Sequence, residues 1–171
     1  MITNFANLWR TARLAALGAA LTVASATPQA QAQAAPGAFA GYAGAWSGGG
    51  KITLASGGVE RMRCTADYRV EQGGAALTQS LSCASDTYKF ELKNRIEATG
   101  DEITGAWLET THSAQGTITG RTSPGRIEGT VSGPGFTASF SLRERANRQQ
   151  ISIQVSGGEI SEILGEFART R

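Results

Sequence analysis

From Arg61 to Val70 polar and apolar residues alternate, with Met62, Cys64, Ala66, Tyr68 and Val70 on one side and Arg61, Arg63, Thr65, Asp67 and Arg69 on the other. A period of two is the pattern of a β-strand with one dry and one wet face. The next stretch repeats it, with Leu77, Leu81 and Cys83 against Thr78, Ser80 and Ser82. Folding the two runs back about Gly73-Gly74 sets Val70 opposite Leu77, Ala66 opposite Leu81 and Cys64 opposite Cys83. A two-residue turn would place the cysteines at a wide, hydrogen-bonded pair. A four-residue loop, Gln72 to Ala75, keeps the register and makes the pair narrow, which suits a disulfide.

The same alternation continues along the chain. Trp46, Gly48, Gly50, Ile52 and Leu54 share a face of a first strand that ends at Ser56-Gly57-Gly58. After Ser85-Asp86-Thr87, Tyr88, Phe90, Leu92 and Ile96 oppose Lys89, Glu91, Lys93, Arg95 and Glu97. Ile103 to Thr110 carries Trp107, and a hairpin is predicted over Ser123-Pro124-Gly125. Phe136, Ala138, Phe140 and Leu142 form a further strand, Arg143 to Arg148 reads as a charged connection, and Ile151, Ile153 and Val155 follow. The last segment, with Ile160, Ile163, Leu164 and Phe167, fits a helix or a bulged strand, and Gly165 tips the reading to a strand.

These signals predict an all-β domain, an antiparallel meander of nine to ten strands. Such a sheet must close or double over to protect its edges. An up-and-down barrel is the first expectation and a two-sheet β-sandwich the alternative. The glycines at 48, 50, 105, 116, 120 and 129 are costly in strands unless they permit bends or make room for rings such as Trp46 and Trp107.

The first residues set the compartment. Arg10 and Arg13 precede an apolar run, Leu14 to Ala26, too short to span a bilayer and ending in small residues. Residues 1–26 therefore read as a signal peptide, with A-x-A cleavage sites up to residue 34, and residues 27–40 as a flexible lead-in to a single all-β domain at 41–171. The leader would take Arg10 and Arg13 from the sixteen basic residues and none of the fourteen acidic ones. The mature chain is then formally neutral, so neither nucleic acid nor an anionic membrane is expected as a partner. Leader and disulfide together predict a periplasmic or secreted protein of a Gram-negative bacterium.

Candidate chemistry is sparse. His112, the sole histidine, lies in the polar turn Thr110 to Ser113 near Glu109 and reads as a solvated loop residue. Asp101-Glu102 sits in a turn, and Glu91 and Glu97 are interleaved with cations on a wet face. Gly48-Gly49-Gly50-Lys51 lacks the Ser or Thr that a phosphate loop requires and lies in a strand. Cys64 and Cys83 are too far apart in sequence for a redox C-x-x-C pair and read as a structural staple. No catalytic residue, metal or cofactor is expected.

Gly44-Ala45-Trp46 at the head of the first strand resembles the G-x-W opening of the calycin barrels, lipocalins and avidins. Arg169 resembles the arginine that packs on that tryptophan in lipocalins. The layout is also similar to small exported β-barrel proteins of alphaproteobacteria with no assigned activity. The calycin resemblance implies a ligand cavity with Trp46, Tyr68, Phe90 and Trp107 near it. The leading expectation is an exported, non-enzymatic barrel that binds a small apolar ligand or an envelope protein. The alternatives are an envelope structural or inhibitor-like protein with a filled barrel, a small outer-membrane barrel turned inside out, and an enzyme using His112 with an unidentified acid.

Overall fold

A computed structural model describes residues 36–170. The expected leader and its cleavage sites lie outside the described residues, as do residues 27–35 of the lead-in. Ten strands follow in order: β1 (Gly44–Leu54), β2 (Val59–Glu71), β3 (Ala76–Ala84), β4 (Lys89–Thr99), β5 (Glu102–Glu109), β6 (Ala114–Ser123), β7 (Arg126–Gly133), β8 (Phe136–Arg145), β9 (Arg148–Ser156) and β10 (Ile160–Arg169). Each pairs antiparallel with the next, and β10 returns to β1, so the sheet closes on itself. Closure leaves no exposed edge, which is why the barrel forms and the sandwich does not.

The alternation decides which way each residue points. In β2 Met62, Cys64, Ala66 and Tyr68 are buried while Arg61, Arg63, Thr65, Asp67 and Arg69 are exposed. Dry faces line the interior and charges face outward, which corrects the inside-out alternative: an outer-membrane barrel needs its apolar band outside. Bending ten strands into a closed wall needs places without a Cβ. At Gly48 and Gly50 a Cβ would overlap the backbone carbonyls of Glu166 and Leu164 on the neighbouring strand.

The β2–β3 hairpin has the register that the pattern predicts, with Val70 opposite Leu77, Ala66 opposite Leu81 and Cys64 opposite Cys83. Glu71 pairs with Ala76 across a four-residue loop, and Gln72, Gly73 and Gly74 take positive φ there. The cysteines are bonded, with their Cα atoms 4.1 Å apart. Closing this nineteen-residue separation stabilises the fold by about 2–4 kcal/mol.

Two expectations change. Arg143 to Arg148 is not a charged connection: β8 runs to Arg145, β9 starts at Arg148, and only Ala146-Asn147 turns, both with positive φ. The Arg143, Glu144 and Arg145 side chains simply continue the strand's in-and-out alternation. At the other end of the chain Phe39 is fully buried and Ala40–Tyr42 forms one 3-10 turn, so the stretch from Gly37 packs with the barrel instead of trailing from it. The final segment is β10, a strand, and its pairing with both β9 and β1 overrides the helical spacing.

Candidate functional site

The two ends of the barrel are built differently. One end is plugged by Phe39, Tyr42 and Trp46, each at most 1% exposed. The Trp46 indole donates to the Tyr42 carbonyl at 2.9 Å, and its ring meets Tyr68 edge-on at 6.4 Å. Arg169 lies over the Trp46 ring at 4.3 Å, and its guanidinium donates to Ala43 O, Gly41 O and Asn147 Oδ1. A cation over an indole face adds to the plug's apolar burial, and the same guanidinium satisfies carbonyls of the segment that forms the plug.

Above the plug runs a belt of polar side chains from four strands. Asn94 Nδ2 donates to Gln79 Oε1, Gln79 Nε2 donates to the Tyr68 hydroxyl at 2.8 Å, and that hydroxyl donates to Gln149 Oε1 at 3.2 Å. Gln79 and Gln149 are buried, and Gln149 Nε2 and Asn94 Oδ1 have no partner. A buried polar group without a partner costs free energy. Burial, then the nearby Tyr42, pushes the Tyr68 phenol well above its ordinary value, against the Gln79 hydrogen bond, and keeps it neutral. Sequence reasoning missed this belt. Its signal was a polar residue at a dry position, which Gln79 and Asn94 each are.

Beyond the belt the inward side chains do not fill the interior. A cavity of about 470 Å³ opens at the far end, with walls that are almost entirely apolar. Tyr68, Phe90 and Trp107 line it, as does the Cys64–Cys83 bridge. Trp46 does not, because its ring is spent in the plug. The Trp107 indole donates to Ser132 O at 3.1 Å, with its ring packed over Gly116 and Gly133, which have no Cβ to obstruct it. The barrel is therefore plugged at one end and hollow at the other, rather than filled throughout.

At the rim His112 is not merely solvated. Its Nδ1 is 2.9 Å from Glu109 Oε2, and its ring lies 6.1 Å from that of Tyr88; all three residues line the mouth. Burial alone would raise the Glu109 carboxyl, but backbone N–H donors from Glu91, Thr111 and His112 outweigh it and bring the value down to about 2. The carboxylate-braced imidazole stands at the mouth of the cavity. Among the described residues no group of three His, Cys, Asp or Glu comes together to hold a metal ion.

Comparison with known proteins adds the fold. No protein-family model matches the chain, and no curated protein matches its sequence. Among solved structures it is similar to Rv2717c from M. tuberculosis, with a TM-score of 0.62 and 12% identity over 78% of this chain and 96% of that one. It is also similar to the S-type phycobiliprotein lyase CPES from Guillardia theta, with a TM-score of 0.57 and 12% identity over 78% of this chain and 90% of that one. The second overturns the expectation that this chain is not an enzyme. A barrel of similar fold is named for a lyase, so the lack of a catalytic motif along the strands gives no ground for excluding catalysis. At this identity the likeness shows the fold alone.

Proposed function

We propose that the protein binds a small, mainly apolar ligand in the open half of its barrel. The single observation that carries this reading is the apolar cavity of about 470 Å³, open at one end only. That size lies in the range of pockets that enclose small molecules, and few polar groups in such a pocket suffice to fix orientation. Tyr68, Phe90 and Trp107 are the proposed walls, and Gln79 and Asn94 the proposed floor. Trp46 serves indirectly, as the plug that makes the cavity blind. The two structural neighbours fit a ligand-holding use of the barrel, and the G-x-W opening with its packed arginine supports a place among the calycins.

The ligand is met outside the cytoplasm. The apolar run after Arg10 and Arg13 and the disulfide support export to the periplasm, or beyond it, of a Gram-negative cell, with residues 1–26 as the leader and one barrel domain as the mature protein. Two measurements test the reading. Native mass spectrometry of protein isolated from its own envelope is expected to show a co-purifying small molecule. The apolar dye N-phenyl-1-naphthylamine is expected to bind the stripped protein, and Ala138→Trp, which puts a ring into the cavity from β8, to abolish that binding with the barrel still folded. Equal dye binding by the variant would overturn the reading.

A further inference from the structure

The outer surface holds a second concavity, across a wall whose Gly49, Gly50, Met62, Ile151, Leu164 and Gly165 also border the interior cavity. Across six neighbouring strands, from β2 through β1, β10, β9 and β8 to β7, the exterior sinks into a trough of about 1080 Å³. Two adjacent cross-strand rows line it. One reads Arg61, Lys51, Leu164, Ser152, Ser141, Glu128; the other reads Arg63, Gly49, Glu166, Gln150, Arg143, Arg126. The middle strands contribute short or uncharged side chains apart from Glu166, and the outer strands contribute the cations. Lys51, Arg61 and Arg63 thus stand on one bank, Arg126 and Arg143 on the other.

The charges in this trough are arranged against the interest of the sheet. Lys51 is directly opposite Arg61, and Arg126 directly opposite Arg143. Like charges at directly opposed positions destabilise a sheet. On the other side of the barrel most cations are matched, Lys93 apart: Arg95 pairs with Glu71 at 2.9 Å and Glu97 at 3.1 Å, Arg121 with Asp101 at 3.1 Å, and Lys89 with Glu91 at 3.3 Å. In the trough only Arg126 is matched, by Glu128; among the described residues Lys51, Arg61, Arg63 and Arg143 make no ion pair. The carboxylates present offset them only in part, and Arg143 acts on Glu128 from a distance. Glu128 is held by Arg126, Glu166 accepts from Gln150 at 3.4 Å on the floor, and Asp86 sits at one end.

We infer that this trough docks an acidic polypeptide segment of a partner protein. Both banks present unmatched cations to whatever lies between them, which complements a segment carrying carboxylates along both flanks. Glu166 on the floor requires a neutral or basic residue at the segment's centre. A membrane surface is flat and touches convex faces first, so a concavity favours a segment narrow enough to enter it. The chain's own first 35 residues contain no Asp or Glu and do not complement the site. A segment of another protein is the occupant that this charge pattern fits.

The test uses a fluorescently labelled Glu-rich peptide as probe, with the purified protein at low salt. Binding is expected, weakening as salt is raised, because the contacts are exposed charges. Arg61→Glu combined with Arg143→Glu is expected to weaken it by about tenfold or more. Lys93→Glu, the same charge reversal at a single site on the exposed face of β4, should leave it unaltered. The double variant should also melt no lower than the parent, because it converts two like-charge pairs into opposite ones; a lower melting temperature would mean that the cations serve the fold, and would overturn the proposal. So would a peptide that does not bind, a double variant that binds as tightly as the parent, or phosphatidylglycerol vesicles that bind where the peptide does not.

Discussion

The two halves of this barrel are made by the same ten strands with the same alternation, yet one is solid and the other hollow. At the plugged end large rings meet across the interior: Phe39, Tyr42 and Trp46 are almost completely buried, and Arg169 caps the indole. At the open end Phe90, Leu81, Val131, Phe136, Phe140 and Ile163 also point inward but remain partly exposed to the space between them. The difference lies in what covers the end. A short segment from outside the strands, with Phe39 and Tyr42, folds over one opening, and no described segment folds over the other. Filling is thus a property of the cap, and the strands alone leave room.

That comparison predicts where substitutions cost most. Trp46→Ala should be the most damaging, about 3–5 kcal/mol in urea unfolding, since it removes a buried ring, a hydrogen bond and the surface on which Arg169 rests. A cost below about 1 kcal/mol would show that the plug does not hold the closed end. Reducing the disulfide, or Cys83→Ser, should cost about 2–4 kcal/mol, because the bridge lies in the wall of the half that lacks a plug. An unchanged melting curve would contradict that. Phe90→Ala, on the cavity wall and half-buried, should cost about 1–2 kcal/mol, well under Trp46→Ala, while changing the affinity for an apolar dye. If the two aromatic substitutions cost the same, the halves are not energetically distinct.

The smallest expected effect is at the rim. The Glu109 carboxyl is held at about 2 in the folded chain, below its unfolded value, so its ionised form stabilises the fold at neutral pH and that contribution is lost as pH falls through about 2. Glu109→Gln should lower the melting temperature slightly at neutral pH. It should also flatten the decline between about pH 5 and about pH 2, leaving the part that Glu60 and Glu128 contribute, whose carboxyls are also lowered by hydrogen bonds. Parallel melting curves for parent and variant across that window would rule out a stabilising role for the rim carboxylate.

Much of this was legible in the residues. The period of two told inward from outward in β2, β3 and β4, and the hairpin register carried Cys64 to Cys83. What the alternation does not tell is depth. Trp46, Tyr68, Phe90 and Trp107 are all inward, but strand tilt and stagger decide which of them lies in the plug, which borders the belt and which lines the open half. Trp46 fell in the plug for that reason. Gln79, Asn94 and Gln149 became a belt only because β3, β4 and β9 bring them level with Tyr68.

Local pattern therefore determined the all-β class, the side of the wall on which each residue stands, and the sulfur bridge, because each depends on neighbours within one strand or one hairpin. Tertiary structure alone decided that the ends differ and that the cations of β1, β2, β7 and β8 face one another across a trough. Those relations join strands far apart in the chain. They exist only once β10 has closed on β1 and set the curvature of the wall.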